Sequence, residues 1–247
     1  MTTNQKHSPV LITAHRGASA MAPENTMAAM LAAIQAQADY AELDVQETKD
    51  GHVILLHDDN LQRTTTGTGF IWEKTLADLN GIDAGGWKAS EFAGEPIPLL
   101  SAVIEQVRGK LKLNIEIKIN GHQQQIEPRV VKIIEEFDFV EHCIVTSFDS
   151  AAIDKVKKLN PRIKVGLIFE EMPCCDLFHN QWEILSIQYR LINNDFIQNA
   201  HQVGKEIHVW TVDPPELMQQ LIEAGVDNII TNQPHLLRQI LRRHSAG

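Results

Sequence analysis

Eight short runs of β-type residues recur along the chain, and turn or cap chemistry followed by a helical pattern separates one from the next. The runs are residues 11–14, 41–45, 113–117, 143–147, 163–169, 184–189, 206–212 and 228–231. Between them, Met27, Met30, Leu31 and Ile34 share one helical face by their i, i+3, i+4, i+7 spacing. Residues 216–224 form another helical segment stopped by Gly225, and Leu236, Leu237, Ile240 and Leu241 line one side of the last. Strand and helix in alternation require a parallel sheet with helices outside it. The 247 residues suit one α/β barrel, typically about 250 residues, although length alone also admits two small domains. A hydrophobic content of 43% is ample for one large core.

A ninth run, residues 53–57, follows Val45 after about seven residues that include Asp50-Gly51. A parallel crossover needs a dozen or more residues, so this run is expected to pair with the second strand as an antiparallel hairpin. It would bring His57 back over the barrel mouth. Residues 59–98 then lose all regular period and carry many glycines and prolines alongside Phe70, Trp72, Trp87 and Phe92. The aromatics argue for a packed insertion over a disordered one. The expected organisation is a single unit over residues 1–247 with an insertion at about 59–98.

Charge narrows the choice of partner. Lys and Arg number 22 against 32 Asp and Glu, a net charge of −10, so the surface repels polyanions and no nucleic-acid partner is expected. The N-terminus is polar and lacks the cationic start and apolar stretch of a secretory signal, and no run is long enough for a membrane anchor. Cys143, Cys174 and Cys175 cannot all pair, and the last two are adjacent, which suits reduced thiols in a cytoplasmic protein.

Acidic residues interrupt two apolar strands near their C-terminal ends. Glu42 and Asp44, two apart, leave the same face of one strand, as do Glu116 and Lys118 in Asn-Ile-Glu-Ile-Lys. In a parallel barrel this is the end where sites assemble, and buried carboxylates there demand a cation. Three carboxylates without a nearby thiol suit a hard ion, Ca²⁺ or Mg²⁺. His15 and Arg16 end the first strand, with Gly17 permitting a tight turn before a helix that starts near Thr26. Arginine offers a planar fork for a phosphate, and an imidazole moves protons near neutral pH. A second histidine, His57, is aimed at the same mouth by the hairpin. Two histidines meet the demands of phosphodiester cleavage, in which one proton leaves the attacking oxygen and another reaches the departing alkoxide. Trp210, in Val-Trp-Thr-Val, is either core or an apolar wall for the organic part of a substrate. Phe148 and Gln188 end other strands and invite the same suggestion, whereas the other nine histidines suit surface or core-edge positions.

The ordered motifs His-Arg-Gly, Pro-Glu-Asn-Thr, Glu-Leu-Asp-Val, Leu-His-Asp-Asp, Arg-Thr-Thr-Thr-Gly, Asn-Ile-Glu-Ile-Lys, Val-Trp-Thr-Val and Gly-Val-Asp-Asn-Ile-Ile-Thr-Asn-Gln-Pro lie within residues 11–234. The chain resembles the glycerophosphodiester phosphodiesterases, most of all their short cytoplasmic bacterial members. The resemblance implies a TIM (β/α)8 barrel with a small insertion after strand two. It implies hydrolysis of deacylated phospholipids such as glycerophosphocholine and glycerophosphoethanolamine to sn-glycerol 3-phosphate and an alcohol. Position by position, it makes Glu42, Asp44 and Glu116 ligands of one divalent cation, Ca²⁺ or Mg²⁺. His15 and His57 match the general acid and base, and Arg16 and Lys118 match phosphate-contacting positions. One departure stands out: the family's last motif commonly reads Thr-Asp where this chain has Thr231-Asn232. Asparagine caps helices well, so a structural, helix-capping role is expected there.

Overall fold

The structure is a computed structural model that describes residues 10–244. The N-terminal residues on which the expectation about a secretory signal rests lie outside them. Eight parallel strands close into a barrel: β1 (Leu11–Ala14), β2 (Tyr40–Glu47), β4 (Lys112–Ile117), β5 (Cys143–Ser147), β6 (Lys164–Phe169), β7 (Ile184–Gln188), β8 (Glu206–Trp210) and β9 (Asn228–Thr231). Each pairs with the next in that order, and β1 closes the ring by pairing with both β9 and β2. The ninth run is β3 (Val53–Leu55), antiparallel to β2 with Val45 opposite Leu55 and Glu47 opposite Val53. It is an extension of β2, as the short linker requires. The strand ends differ from the sequence reading by one or two residues, so Thr211 and Val212 lie beyond β8.

The helices α1 (Met27–Gln35), α2 (Leu100–Val107), α3 (Ile126–Glu136), α4 (Ser150–Leu159), α5 (Asn194–Gln202), α6 (Pro215–Ala224) and α7 (Pro234–His244) lie along the chain between and after the barrel strands. Local chemistry sets their ends. Thr26 caps α1 by accepting from the Ala29 amide, Asp149 caps α4 in the same way, and α6 stops at Gly225, left-handed with φ 80°. Apolar stripes such as Ile126, Val130 and Ile134 on α3 bury against the outer face of the strands, and this layer forms the main core. None of the described helices is long and apolar enough to cross a membrane.

The insertion holds three 3-10 turns, Ile71–Glu73, Ala77–Leu79 and Ser90–Phe92. It has a small core of its own in which Leu61, Ile71 and Leu79 pack on Ile54 and Leu56, with the partly buried Trp72 against them. Part of the barrel interior is polar: Thr13, Asn114, Thr146, Ser186, His208 and Asn228 are all buried. His208 therefore departs from the surface or core-edge position expected of it. Its inward direction follows from its place two residues before Trp210 on β8, since alternate strand residues share a face.

Candidate active site

Strand register assembles the acidic cluster. Parallel pairing sets Asp44 of β2 directly beside Glu116 of β4, and the period-two alternation places Glu42 one layer further in. One carboxylate oxygen from each of Glu42, Asp44 and Glu116 lies within 4.8 Å of the others, and all three residues are buried. Burial, reinforced by Asp44, pushes Glu42 well above the ordinary carboxylate range. Burial and Asp44 push Glu116 up to about 7. For Asp44 burial acts in the same direction, but Lys118 and Arg16 overcome it and hold the group below its usual value. Lys118 Nζ donates to Glu116 Oε1 at 2.7 Å and lies 3.5 Å from Asp44 Oδ1. Glu42 Oε1 is buried without a hydrogen-bond partner. An oxygen-only set with an orphaned oxygen fits a hard divalent cation, which would offset the burial and the mutual repulsion that raise Glu42 and Glu116.

The turn after β1 completes the cluster. Arg16 and Gly17 both adopt positive φ, 53° and 77°, so the chain doubles back. The Arg16 amide donates to Glu42 Oε2 at 2.7 Å and the Gly17 amide to the Glu42 carbonyl at 3.0 Å. A side chain at position 17 would put its Cβ 2.6 Å from Ala29 Cβ, which is why glycine is needed there. Arg16 itself donates to Glu24 Oε1 at 2.7 Å, with its Nε 3.4 Å from Asp44. Asn25, also at positive φ, clasps Asp44 by donating from Nδ2 at 2.8 Å and accepting the Asp44 amide at 3.1 Å.

Each histidine is anchored through Nδ1. His15 lies 2.8 Å from Asn232 Oδ1, and His57 lies 2.7 Å from Asp58 Oδ1. Burial, helped by the adjacent Arg16 charge, lowers the pKa of His15 below the usual imidazole value against the opposing pull of Asn232. His57 follows β3, and the Leu56 amide donates to the Asp44 carbonyl at 3.1 Å, so the hairpin sets His57 at the level of the acidic cluster.

A cleft runs inward from these groups. His15, Arg16, Glu42 and Glu116 line one side, Asn114 and Ser186 reach it from the polar interior of the barrel, and Phe148 and Trp210 form an apolar wall. The two rings meet edge to face at 5.7 Å, and Trp210 Nε1 donates to the Ser186 carbonyl at 3.1 Å. Lys118 Nζ sits 5.8 Å from the Phe148 ring centre. Gln188 is used otherwise, since its Oε1 caps the turn that follows by accepting from the Arg190 amide. Asn232 also departs from the helix-capping role. Its side chain is occupied by His15, Ser19 and Asp213, and it lies two residues ahead of α7, which starts at Pro234.

Two participants escape a reading of the sequence alone. Arg63, from the aperiodic insertion, donates to both Asp58 and Glu24. Asp213, from the loop after β8, stands behind Asn232. The Arg-Thr-Thr-Thr-Gly motif marked Arg63 as noteworthy without giving it a partner, and nothing local marked Asp213.

The chain is similar to known proteins across most of its length. The model of the glycerophosphoryl diester phosphodiesterase family matches residues 15–236. A glycerophosphodiester phosphodiesterase of Caldanaerobacter subterraneus subsp. tengcongensis is 38% identical over 242 residues, covering 94% of this chain and 98% of the relative. Among solved structures, an Oleispira antarctica phosphodiesterase in complex with the product sn-glycerol-3-phosphate superposes with a TM-score of 0.85 at 29% identity, over 94% of this chain and 96% of that one. A glycerophosphodiester phosphodiesterase from Agrobacterium tumefaciens gives a TM-score of 0.82 at 29% identity, over 92% and 98%. With a closed barrel, the acidic cluster and a family match across most of its length, the chain belongs to the glycerophosphoryl diester phosphodiesterase family.

Proposed function

We propose that the protein hydrolyses glycerophosphodiesters such as glycerophosphocholine and glycerophosphoethanolamine to sn-glycerol 3-phosphate and an alcohol, using one divalent cation, Ca²⁺ or Mg²⁺. The observation that carries the reading is the convergence of Glu42, Asp44 and Glu116 within 4.8 Å beside two Nδ1-anchored histidines. The three carboxylates would hold the cation. When bound, it supplies Lewis-acid stabilisation of the negative charge on the phosphate.

His15 is the base in this reading. Burial and Arg16 keep its ring neutral near pH 7, and it takes the proton of the attacking hydroxyl, either that of water or the substrate's own, which would give a cyclic phosphate that water then opens. His57, backed by the Asp58 carboxylate, delivers a proton to the departing alkoxide. Arg16 and Lys118 hold the nonbridging oxygens, and Trp210 with Phe148 packs against the organic part of the substrate. Product analysis on the purified protein tests this. Release of glycerol 3-phosphate from glycerophosphocholine or glycerophosphoethanolamine with Ca²⁺ or Mg²⁺ is expected, and no release with either cation would contradict it.

A further inference from the structure

We propose that Asp213 and Asn232 are a positioning pair that fixes which ring nitrogen of His15 carries its proton, a reading that rests on His15 being the base assigned above. Neither residue lines the cleft. Asp213 follows β8 and Asn232 follows β9, so two neighbouring strand ends bring them together.

Hydrogen-bond logic runs outward from the carboxylate. Asp213 Oδ1 accepts from Thr231 Oγ1 at 2.9 Å and from the Asn232 amide at 2.9 Å. Its Oδ2 accepts from Asn232 Nδ2 at 2.6 Å. A carboxylate only accepts, so the side chain of Asn232 must turn its NH2 toward Asp213. The amide oxygen is thereby left on the opposite side, 2.8 Å from His15 Nδ1 and 2.7 Å from Ser19 Oγ. An amide oxygen also only accepts. His15 Nδ1 must then carry the hydrogen, and Nε2 must present a lone pair. The choice of tautomer at His15 is made two hydrogen bonds away, at Asp213.

The substitution Asp213→Asn reverses that logic. The amide introduced at position 213 still accepts from Thr231 and the 232 backbone, but it offers NH2 where Oδ2 stood. Asn232 must flip to receive it and turns its own NH2 toward His15, which forces the proton onto Nε2 and removes the base. The double substitution Asp213→Asn with Asn232→Asp rebuilds every bond with the charge moved one side chain closer to His15. An acceptor again faces Nδ1.

Nitrogen NMR of the imidazole, read beside steady-state kinetics, tests the proposal. The native protein should show His15 as the Nδ1–H tautomer. Asp213→Asn should show Nε2–H, with kcat down about 10²-fold and KM within about twofold. The double variant should recover Nδ1–H and kcat to within about fivefold of native. An Nε2–H tautomer in the native protein, or native tautomer and native kcat in Asp213→Asn, would overturn the proposal, as would a double variant no better than the single one. His15→Ala separates the two readings. If it is inactive while Asp213→Asn behaves as native, only the positioning role fails; if it is fully active, the base assignment itself fails.

Discussion

Arg63 grips Asp58 through two hydrogen bonds, Nε to Oδ2 at 2.6 Å and Nη2 to Oδ1 at 2.9 Å, and Asp58 in turn holds His57. The same guanidinium reaches Glu24 Oε2 at 2.9 Å and Glu24 Oε1 at 2.8 Å, and Glu24 holds Arg16. One residue of the insertion therefore ties the loop bearing His57 to the loop bearing Arg16. A forked donor is required, because a lysine ammonium cannot span both carboxylates in this planar arrangement.

Arg63→Ala is expected to lower kcat by about 10-fold through loss of His57 orientation. Thermal stability should change little, since Arg63 is largely exposed and surface ion pairs contribute about 0–1 kcal/mol. Steady-state kinetics beside a melting curve checks both halves. Arg63→Lys should recover only a small part of the loss.

The raised carboxyls make the cation-free protein sensitive to pH. Glu116 titrates near 7 in the folded chain against an ordinary value of 4.5, because of burial and Asp44. A raised folded-state value means that the folded protein binds more protons than the unfolded chain between those limits, so stability falls as pH rises through this window. Glu42 is shifted in the same direction and adds to the effect. Melting curves in chelator should show a falling midpoint from pH 5 to pH 8, and saturating Ca²⁺ or Mg²⁺ should flatten the trend, since binding favours the ionised forms. A midpoint in chelator that rises across this interval would be the opposite result.

Asn25 orients Asp44 through two hydrogen bonds and itself sits at φ 57°, a conformation asparagine tolerates better than most residues. Removing the side chain in Asn25→Ala is expected to weaken cation affinity by about 10-fold or more, the usual effect of losing a group that orients a metal ligand. Isothermal titration calorimetry gives the affinity directly. An unchanged value would show that Asp44 needs no such support.

Much of this was legible in the chain because the physics is local. The Glu42/Asp44 and Glu116/Lys118 spacings declare a shared strand face, and the short linker before β3 excludes every pairing except a hairpin. Long-range partners are a different matter. Asp213 and Asn232 lie on separate loops, and what joins them is the pairing of β8 with β9, not sequence spacing. Arg63 sits in a segment without period, so no face could be assigned to it. His208 looks like any histidine in a strand until the register fixes its inward direction. Asn232 illustrates a second kind of limit. Its residue type suits a helix cap, but α7 starts two residues further on at Pro234, and its side chain turns to His15.

Gly17 offers a stability test at the site. Its φ of 77° is strained for any residue with a side chain, and the added Cβ of Gly17→Ala would also meet the Ala29 backbone at 2.7 Å. A loss of about 1–3 kcal/mol from the strain alone is expected in denaturant unfolding. Activity should fall with it, because this turn delivers the Arg16 amide to Glu42.

The most direct measurement is turnover of chelator-stripped protein while Ca²⁺ or Mg²⁺ is titrated back, with calorimetry counting the ions bound. The expected result is no glycerol 3-phosphate release without cation, and a rate that climbs with the occupancy of one high-affinity site that Glu42→Gln weakens. Full turnover in chelator, or a rate indifferent to occupancy of that site, would contradict a catalytic cation held by Glu42, Asp44 and Glu116.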